Sequence, residues 1–132
     1  MSTWPKSRPR SPRRRYTGPP HRVIEALRQR CGCRCERCGT TFLGPNGGDP
    51  HHRTPRGMGG TRDARINRLS NLVALCRPCH DWVESHRSRS IVEGWLVPRH
   101  LDPADVPVSS RIHGRVLLAD DGSVVSVGGD AA

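Results

Sequence analysis

The chain is poor in aromatic residues, has almost no lysine and contains no long apolar run. Its 132 residues include three Trp, one Tyr and one Phe, and only 33% are hydrophobic. A chain of this size with so little apolar material struggles to bury a self-sufficient core, and a bound metal is a common remedy. No run approaches the roughly 18 apolar residues of a membrane-spanning helix, so no span is expected.

The charge is dominated by one sign. Lys and Arg total 22 against 12 acidic residues, which gives a formal net charge of +10, and Lys6 is the single lysine. The guanidinium fork of arginine suits phosphate geometry, so the expected partner is a polyanion. A GC-rich genome, which favours Arg codons, would account for part of the arginine excess but not for the net charge.

Six cysteines are enough for either disulfides or a metal site. The first fifteen residues are charged and lack the apolar region of a secretion signal. We therefore expect a reducing, cytoplasmic setting in which the thiolates bind metal.

Two Cys-x-x-Cys pairs have the spacing of a tetrahedral zinc site, in which four thiolates lie about 2.3 Å from the metal. Cys31 and Cys33 offer another register for the first pair, but the later register is preferred because Gly39 follows it, as in a zinc-knuckle turn. The expected ligands of a structural Zn²⁺ are therefore Cys35, Cys38, Cys76 and Cys79.

The adjacent His51 and His52, and then Asn71, lie between the two cysteine pairs, and His80 directly follows the last cysteine. This order, CxxC, HH, N and CxxC-H, resembles the HNH endonucleases, the ββα-metal nucleases, in the form that carries a structural zinc. The resemblance covers roughly residues 28–86. It implies a small α+β fold with a treble-clef-like ββα-metal (His-Me finger) core stapled by the four-cysteine zinc site.

The resemblance also implies a role for each polar residue. His51 and His80 would be the protein ligands of a catalytic divalent cation, which is Mg²⁺, Mn²⁺ or another. His52 would be the general base that takes a proton from water, and Asn71 would position the loop and the base. The implied reaction is phosphodiester hydrolysis in DNA that leaves 5′-phosphate and 3′-hydroxyl ends.

The geometry of a strand agrees with this division of roles. Neighbouring strand residues point to opposite faces, so one histidine of the pair can bind metal while the other reaches water. A histidine with a pKa of about 6.5 is a competent base at neutral pH. Glu84 lies four residues after His80 on the same helix face. It is either a third ligand or a solvated surface acid, and the second alternative is preferred.

Five arginines lie in or beside the loop between the histidine pair and Asn71, where they are expected to clamp nucleic-acid phosphates. They are Arg53, Arg56, Arg62, Arg65 and Arg68. Gly57, Gly59 and Gly60 would let the backbone approach a duplex closely. No helix carries a base-reading pattern of Asn, Gln and Arg, which predicts low sequence specificity.

Hydrophobic periodicity predicts a helix over 20–30, with Val23, Ile24 and Leu27 on its apolar face and Arg30 exposed. The remaining expected elements are strands at 51–53, 72–75, 115–119 and 123–127 and a helix over about 78–86. The last two strands flank Asp120-Asp121-Gly122, a strong hairpin signal. Trp95 and Leu96 are expected to cover the core from outside.

Three parts of the chain are expected. Residues 1–18 form a flexible basic arm, which either neutralises phosphates, the preferred alternative, or only keeps the chain in solution. Residues 19–100 form the HNH nuclease domain with its zinc site. Residues 101–132, where acidic residues outnumber basic ones, form a C-terminal hairpin and tail that pairs with a neighbouring strand or contacts a partner.

The compact size, basic arm and acidic tail resemble the free-standing HNH proteins of bacteriophages. That resemblance implies a bacterial host cytoplasm, DNA as the main partner, and a role in DNA packaging beside a phage terminase. Two alternatives remain open. One is a non-catalytic zinc-ribbon module that binds nucleic acid, and the other is an accessory protein whose tail docks a terminase.

Overall fold

The structure of the protein is a computed structural model that describes residues 18–42, 47–55 and 64–127. The basic arm up to residue 17, Arg56, Arg62 and the three loop glycines lie outside the described residues. Within the described part, no helix is both long enough and apolar enough to cross a membrane.

Helix α1 is the first described element and spans His21–Cys31, where the periodicity predicts it. It ends at Gly32, whose φ of 60° lies in the left-handed region and whose N–H reaches the carbonyl of Arg28. Leu27 and Cys31 are buried against the segment that leads into the central strand pair. Helix α1 therefore forms one outer layer of the core.

Arg30, expected to be exposed on α1, is only 7% exposed, so that prediction is wrong. Its Nε and Nη2 donate to both carboxylate oxygens of Glu36, at 3.2 and 2.8 Å, and it also donates to the carbonyls of Leu69 and Leu72. Glu36 is fully buried and accepts from the N–H of Ala74. The buried ion pair thus joins α1 to the first cysteine turn and to the central strand.

The central unit is a strand pair followed by a helix. Strand β1, Asp49–His52, pairs antiparallel with strand β2, Leu72–Leu75. Strand β2 is buried along its whole length, as its apolar run predicts. Helix α2, Arg77–Ser85, begins directly after β2 with Pro78 in its first turn, where the missing N–H costs nothing. The expected small α+β class is confirmed.

Helix α3, Arg87–Glu93, was not expected from the sequence. It ends at Gly94, whose φ is +87° and where any Cβ would collide with the backbone of Pro107. Only glycine allows this close approach of the chain after α3 to the C-terminal segment. Trp95 follows and is fully buried, so it lies inside the core rather than covering it from outside.

A second sheet is formed by strands β3 (Val108–Ser110), β4 (Gly114–Leu118) and β5 (Val124–Ser126) in that order. Strands β4 and β5 form the expected hairpin. Strand β3 pairs antiparallel with β4, so the hairpin does join a neighbouring strand. Sequence reasoning did not predict β3, because three residues are too few for an alternating pattern.

The main core joins both sheets. Val73 and Leu75 of β2 pack in one cluster with Trp95 and with Val108 and Leu118 of the C-terminal sheet. This core contains residues from both sides of residue 100, where a domain boundary was expected. The boundary itself stays a prediction. Deleting residues 101–132 would remove side chains that are buried in this core. Such a deletion would disturb the fold, so it cannot test whether residues 101–132 act only as a docking tail.

Candidate active site and zinc cluster

The two Cys-x-x-Cys turns meet at the start of α2. Their sulfur atoms, from Cys35, Cys38, Cys76 and Cys79, lie within 4.8 Å of one another. Cys31 and Cys33 lie outside this group, and no cysteine of the chain forms a disulfide. The structure thus assembles the register that was preferred from the sequence.

The chemistry of this cluster suits a metal. Burial raises the pKa of the thiols of Cys76 and Cys79. Partial burial alone would also raise the pKa of Cys38, but hydrogen bonds with Thr40 lower it to about 6. Arg37 Nη1 donates to Cys79 Sγ at 3.3 Å. Four converging sulfurs, three of them buried, match the closed donor set that a structural zinc site uses.

A second cluster of possible ligands is formed by His51, His80 and Glu84. One ligand atom from each lies within 4.8 Å of the others. His51 projects from β1, while His80 and Glu84 lie one turn apart on α2, and the two imidazole centroids are 5.2 Å apart. Exposure increases from buried His51 to half-buried His80 to exposed Glu84.

Glu84 was expected to be a solvated surface acid. It is exposed, and its Oε2 lies 3.8 Å from Nη1 of Arg87. The structure nevertheless brings its carboxylate to the two histidines, which the helical spacing from His80 allows. Its position therefore favours the alternative of a third ligand.

The protonation state of His51 is set by its surroundings. Burial lowers the pKa of His51 to about 4, so the ring is neutral at pH 7. Its Nε2 lies 3.0 Å from the carbonyl oxygen of Trp95, which can only accept a hydrogen bond. Nε2 therefore carries the proton, and Nδ1 keeps a lone pair for a cation. No sequence signal marks this contact, because the partner is a backbone atom.

His52 lies next to His51 on β1 and is half-buried. Its Nε2 is 2.9 Å from Oδ1 of Asn67, at the end of the 3-10 helix Ala64–Asn67. The amide oxygen accepts, so the ring donates from Nε2 and is oriented by this contact. Sequence reasoning missed Asn67, since one amide in a polar loop carries no distinguishing pattern.

Asn71 is buried just before β2 and connects two parts of the loop. Its Oδ1 accepts from the N–H of Thr54 at 2.8 Å, and its Nδ2 donates to the carbonyl of Ile66 at 2.7 Å. Asn71 therefore holds the described ends of the loop together and is not one of the residues in the histidine cluster.

Arg53 does not lie where a phosphate could reach it, so its expected role as a clamp is wrong. The side chain is fully buried and donates to the carbonyls of Gly94, Ser70, Pro103 and Val106 at 2.7–2.9 Å. Burial also lowers the pKa of Arg53 to about 10. Arg53 ties three segments of the backbone together behind the site.

Two other arginines of the expected clamp are described. Arg65 is exposed. Arg68 is half-buried, and its Nε lies 2.7 Å from Oδ2 of Asp120 while its Nη1 lies 3.6 Å from Oδ1 of Asp102. Much of the charge of Arg68 is therefore neutralised within the protein.

Comparison with known families supports the resemblance. Residues 35–85 match the model of the HNH endonuclease family. Neither a curated protein nor a solved structure matches the chain. The matched segment runs from Cys35 to the end of α2 and contains both cysteine pairs and the histidine cluster. The match to the HNH endonuclease model over residues 35–85 confirms the resemblance expected from the sequence.

Proposed function

We propose that the protein is a metal-dependent endonuclease that hydrolyses phosphodiester bonds in DNA. The observation that carries the proposal is the convergence of His51, His80 and Glu84 within 4.8 Å, inside the segment that matches the HNH family. His52 stands on the same strand beside this cluster, as a general base requires. Two imidazoles and one carboxylate leave about half of the coordination positions of an octahedral cation open to water and phosphate oxygens.

His51, through Nδ1, together with His80 and Glu84, would hold Mg²⁺, Mn²⁺ or another divalent cation. When bound, such a cation supplies a Lewis acid that stabilises negative charge on the departing 3′ oxygen. The neutral ring of His51 fits this role, because its proton is already committed to the carbonyl of Trp95.

His52 would act as the general base that takes the proton from the attacking water. The water oxygen bonds to phosphorus as the bond from phosphorus to the 3′ oxygen breaks, and the 3′ oxygen takes a proton from solvent water, which leaves 5′-phosphate and 3′-hydroxyl ends. Asn67 and Asn71 would keep the ring and its loop in place during this step, as their hydrogen bonds support.

The four cysteines would bind one structural Zn²⁺. The metal would fasten the first cysteine turn to the start of α2, so that the segment carrying β1 is held at both ends. Because a preformed site of this kind is absent in the unfolded chain, the free energy of zinc binding would stabilise the fold.

We further propose low sequence specificity, a bacterial host cytoplasm and an origin in a bacteriophage, with a role in DNA packaging beside a terminase. The low specificity is supported by the lack of a base-reading helix in the sequence. The phage setting rests on the compact size, the basic arm and the acidic tail of the chain.

The test is cleavage of supercoiled plasmid with added Mg²⁺ or Mn²⁺. His52→Ala should slow cleavage by roughly 10²- to 10⁴-fold, the usual contribution of a general base. His21→Ala, which removes an exposed imidazole at the start of α1, should cut at the wild-type rate. Equal rates for the His52 and His21 variants would overturn the assignment of the base.

The competing function, a non-catalytic zinc-ribbon module, makes a different prediction for the same experiment. Wild type and His52→Ala would then bind DNA equally, and neither would cut it with any divalent cation. That outcome would leave the zinc cluster intact and remove the proposed enzyme activity.

A further inference from the structure

A groove runs beside the candidate active site, partly on chain that lies outside the family match. One wall comes from the segment 65–71 and the other from the turn 98–103, and the cavity between them measures about 310 Å³. Buried Arg53 holds the walls together, since its Nη1 donates to the carbonyls of both Ser70 and Pro103 at 2.9 Å. The groove is therefore a built feature of the fold.

The carboxylates around this groove are already engaged. Asp102 lines it, but its Oδ1 accepts from the N–H of Ala104 at 2.9 Å and lies 3.6 Å from Arg68. Asp120 lies 2.7 Å from the other side of the Arg68 guanidinium. Both acids therefore face Arg68, and Asp102 is the one acidic residue among the described residues that line the groove.

Arg99 is a second cation of the groove. The turn that carries it closes through a hydrogen bond from the N–H of Leu101 to the carbonyl of Pro98 at 3.0 Å. Arg99 is exposed and makes no side-chain hydrogen bond or ion pair with any described residue. His100 lies next to it and is also exposed, and Arg65 faces the same cavity from the opposite wall. A concave surface with this excess of cations attracts anions.

The groove is continuous with the loop that holds the candidate base. Arg65 belongs to the same short 3-10 helix as Asn67, whose amide holds His52. Thr54, two residues after His52, and Asn71 also line the cavity. The groove is therefore lined by residues close in the chain to His52 and to Asn67, which contacts its ring.

We infer that this groove binds backbone phosphates of the DNA strand next to the cleaved bond, with Arg99 as the principal contact. The inference rests on the proposed function. Guanidinium forks match phosphate oxygens in pairs, and such contacts position a strand without reading its sequence. The contribution of Arg99 would add a substrate contact from outside the matched segment 35–85.

The experiment measures binding of a fluorescent DNA duplex by anisotropy, without added divalent cation, over a range of salt concentrations. Arg99→Gln should weaken binding about tenfold, the typical value of one charge-assisted hydrogen bond. It should also reduce the slope of log affinity against log salt by about 1, because one fewer phosphate is neutralised. Arg99→Lys should keep the slope and recover part of the affinity.

Arg115→Gln is the matched control, because it removes the same charge from an exposed position on strand β4. It should change affinity much less than Arg99→Gln. Equal effects of the two substitutions, in a wild-type protein that binds and cuts DNA, would overturn the inference and leave the proposed function standing. A wild-type protein that neither binds nor cuts DNA would overturn the proposed function itself. The same titration is repeated with an RNA duplex. If Arg99→Gln weakened binding of RNA but not of DNA, the assignment of DNA as the occupant would be overturned.

Discussion

The four-cysteine cluster and the histidine cluster both use helix α2, and the adjacent residues Cys79 and His80 belong to different clusters. Successive residues on a helix point about 100° apart, so one side chain can reach the cysteine turn while the next reaches strand β1. Three of the four cysteines are buried, whereas the second cluster passes from buried His51 to exposed Glu84. One helix therefore serves a closed site and an open site.

The proposed function divides the work between the two clusters in line with this difference. A closed tetrahedral set leaves a zinc ion no position for water or substrate, so its contribution is to the fold. An open set of three ligands on one side leaves positions where chemistry can occur. Substitutions that change one cluster or its support at a time test this division, with folding or metal binding as the measured property.

The largest effect is expected from breaking the closed cluster. Cys79→Ser removes one zinc ligand, and structural zinc contributes about 10–16 kcal/mol in small zinc-finger peptides. This is comparable to the roughly 5–15 kcal/mol that keeps a typical domain folded. We expect the variant to lose its zinc and its cooperative thermal transition, measured by a colorimetric zinc assay and by circular dichroism.

Two controls sharpen that result. Cys33→Ser changes an exposed cysteine outside the cluster and should keep both zinc and the thermal transition. His80→Ala removes a ligand of the open cluster and should also keep zinc and fold. If His80→Ala unfolded the protein as Cys79→Ser does, the division between a folding site and a reaction site would be wrong.

An intermediate effect is expected from breaking the buried ion pair of Arg30 and Glu36, which lies at the first cysteine turn. Glu36 lies between Cys35 and Cys38 in the first cysteine turn. Arg30→Met leaves its buried carboxylate without a cationic partner. Breaking a buried pair in this way costs about 3–5 kcal/mol. The free energy of unfolding, measured in urea with zinc present, should fall by that amount.

Arg28→Met provides the comparison for Arg30. Arg28 lies on the same helix, is exposed, and has Glu25 at 3.9 Å as its ionic partner. Its substitution should change the unfolding free energy by less than about 0.5 kcal/mol. Similar losses for the two variants would mean that the buried pair adds nothing specific to the cysteine turn.

These arginines also show what a sequence can and cannot reveal. The cysteine spacing identified the closed cluster because the geometry of a metal site constrains residues within each short turn. In the same way, short local patterns predicted β2 from its apolar run and the hairpin of β4 and β5 from the Asp-Asp-Gly turn. Arg30 and Arg53 look like the other arginines of the chain, and their burial depends on carbonyls supplied by distant segments.

The open cluster was only partly predictable for the same reason. The resemblance to HNH enzymes pointed to His51, His52 and His80, but it did not indicate the carbonyl of Trp95 or the amide of Asn67. A backbone carbonyl has no residue identity, so no sequence pattern can mark it. Glu84 was expected to be a solvated acid because most acids on helix surfaces are solvated. The sequence alone could not show that α2 places its carboxylate close to His51.

The smallest effect is expected for Glu84→Gln, which tests how open the second cluster is. If Glu84 is a ligand, the affinity of the zinc-loaded protein for Mn²⁺ should fall at least about tenfold, the loss typical even for residues that only support a ligand. Asp81→Asn removes the same charge from another exposed position on α2, where its partner is Arg77 at 3.8 Å, and should alter Mn²⁺ affinity far less. Calorimetric titration of both variants with Mn²⁺ distinguishes the loss of a metal ligand from the loss of a nearby negative charge. Equal affinities would return Glu84 to the role of a solvated acid and leave the cation with two histidines, an even more open site beside the closed zinc cluster.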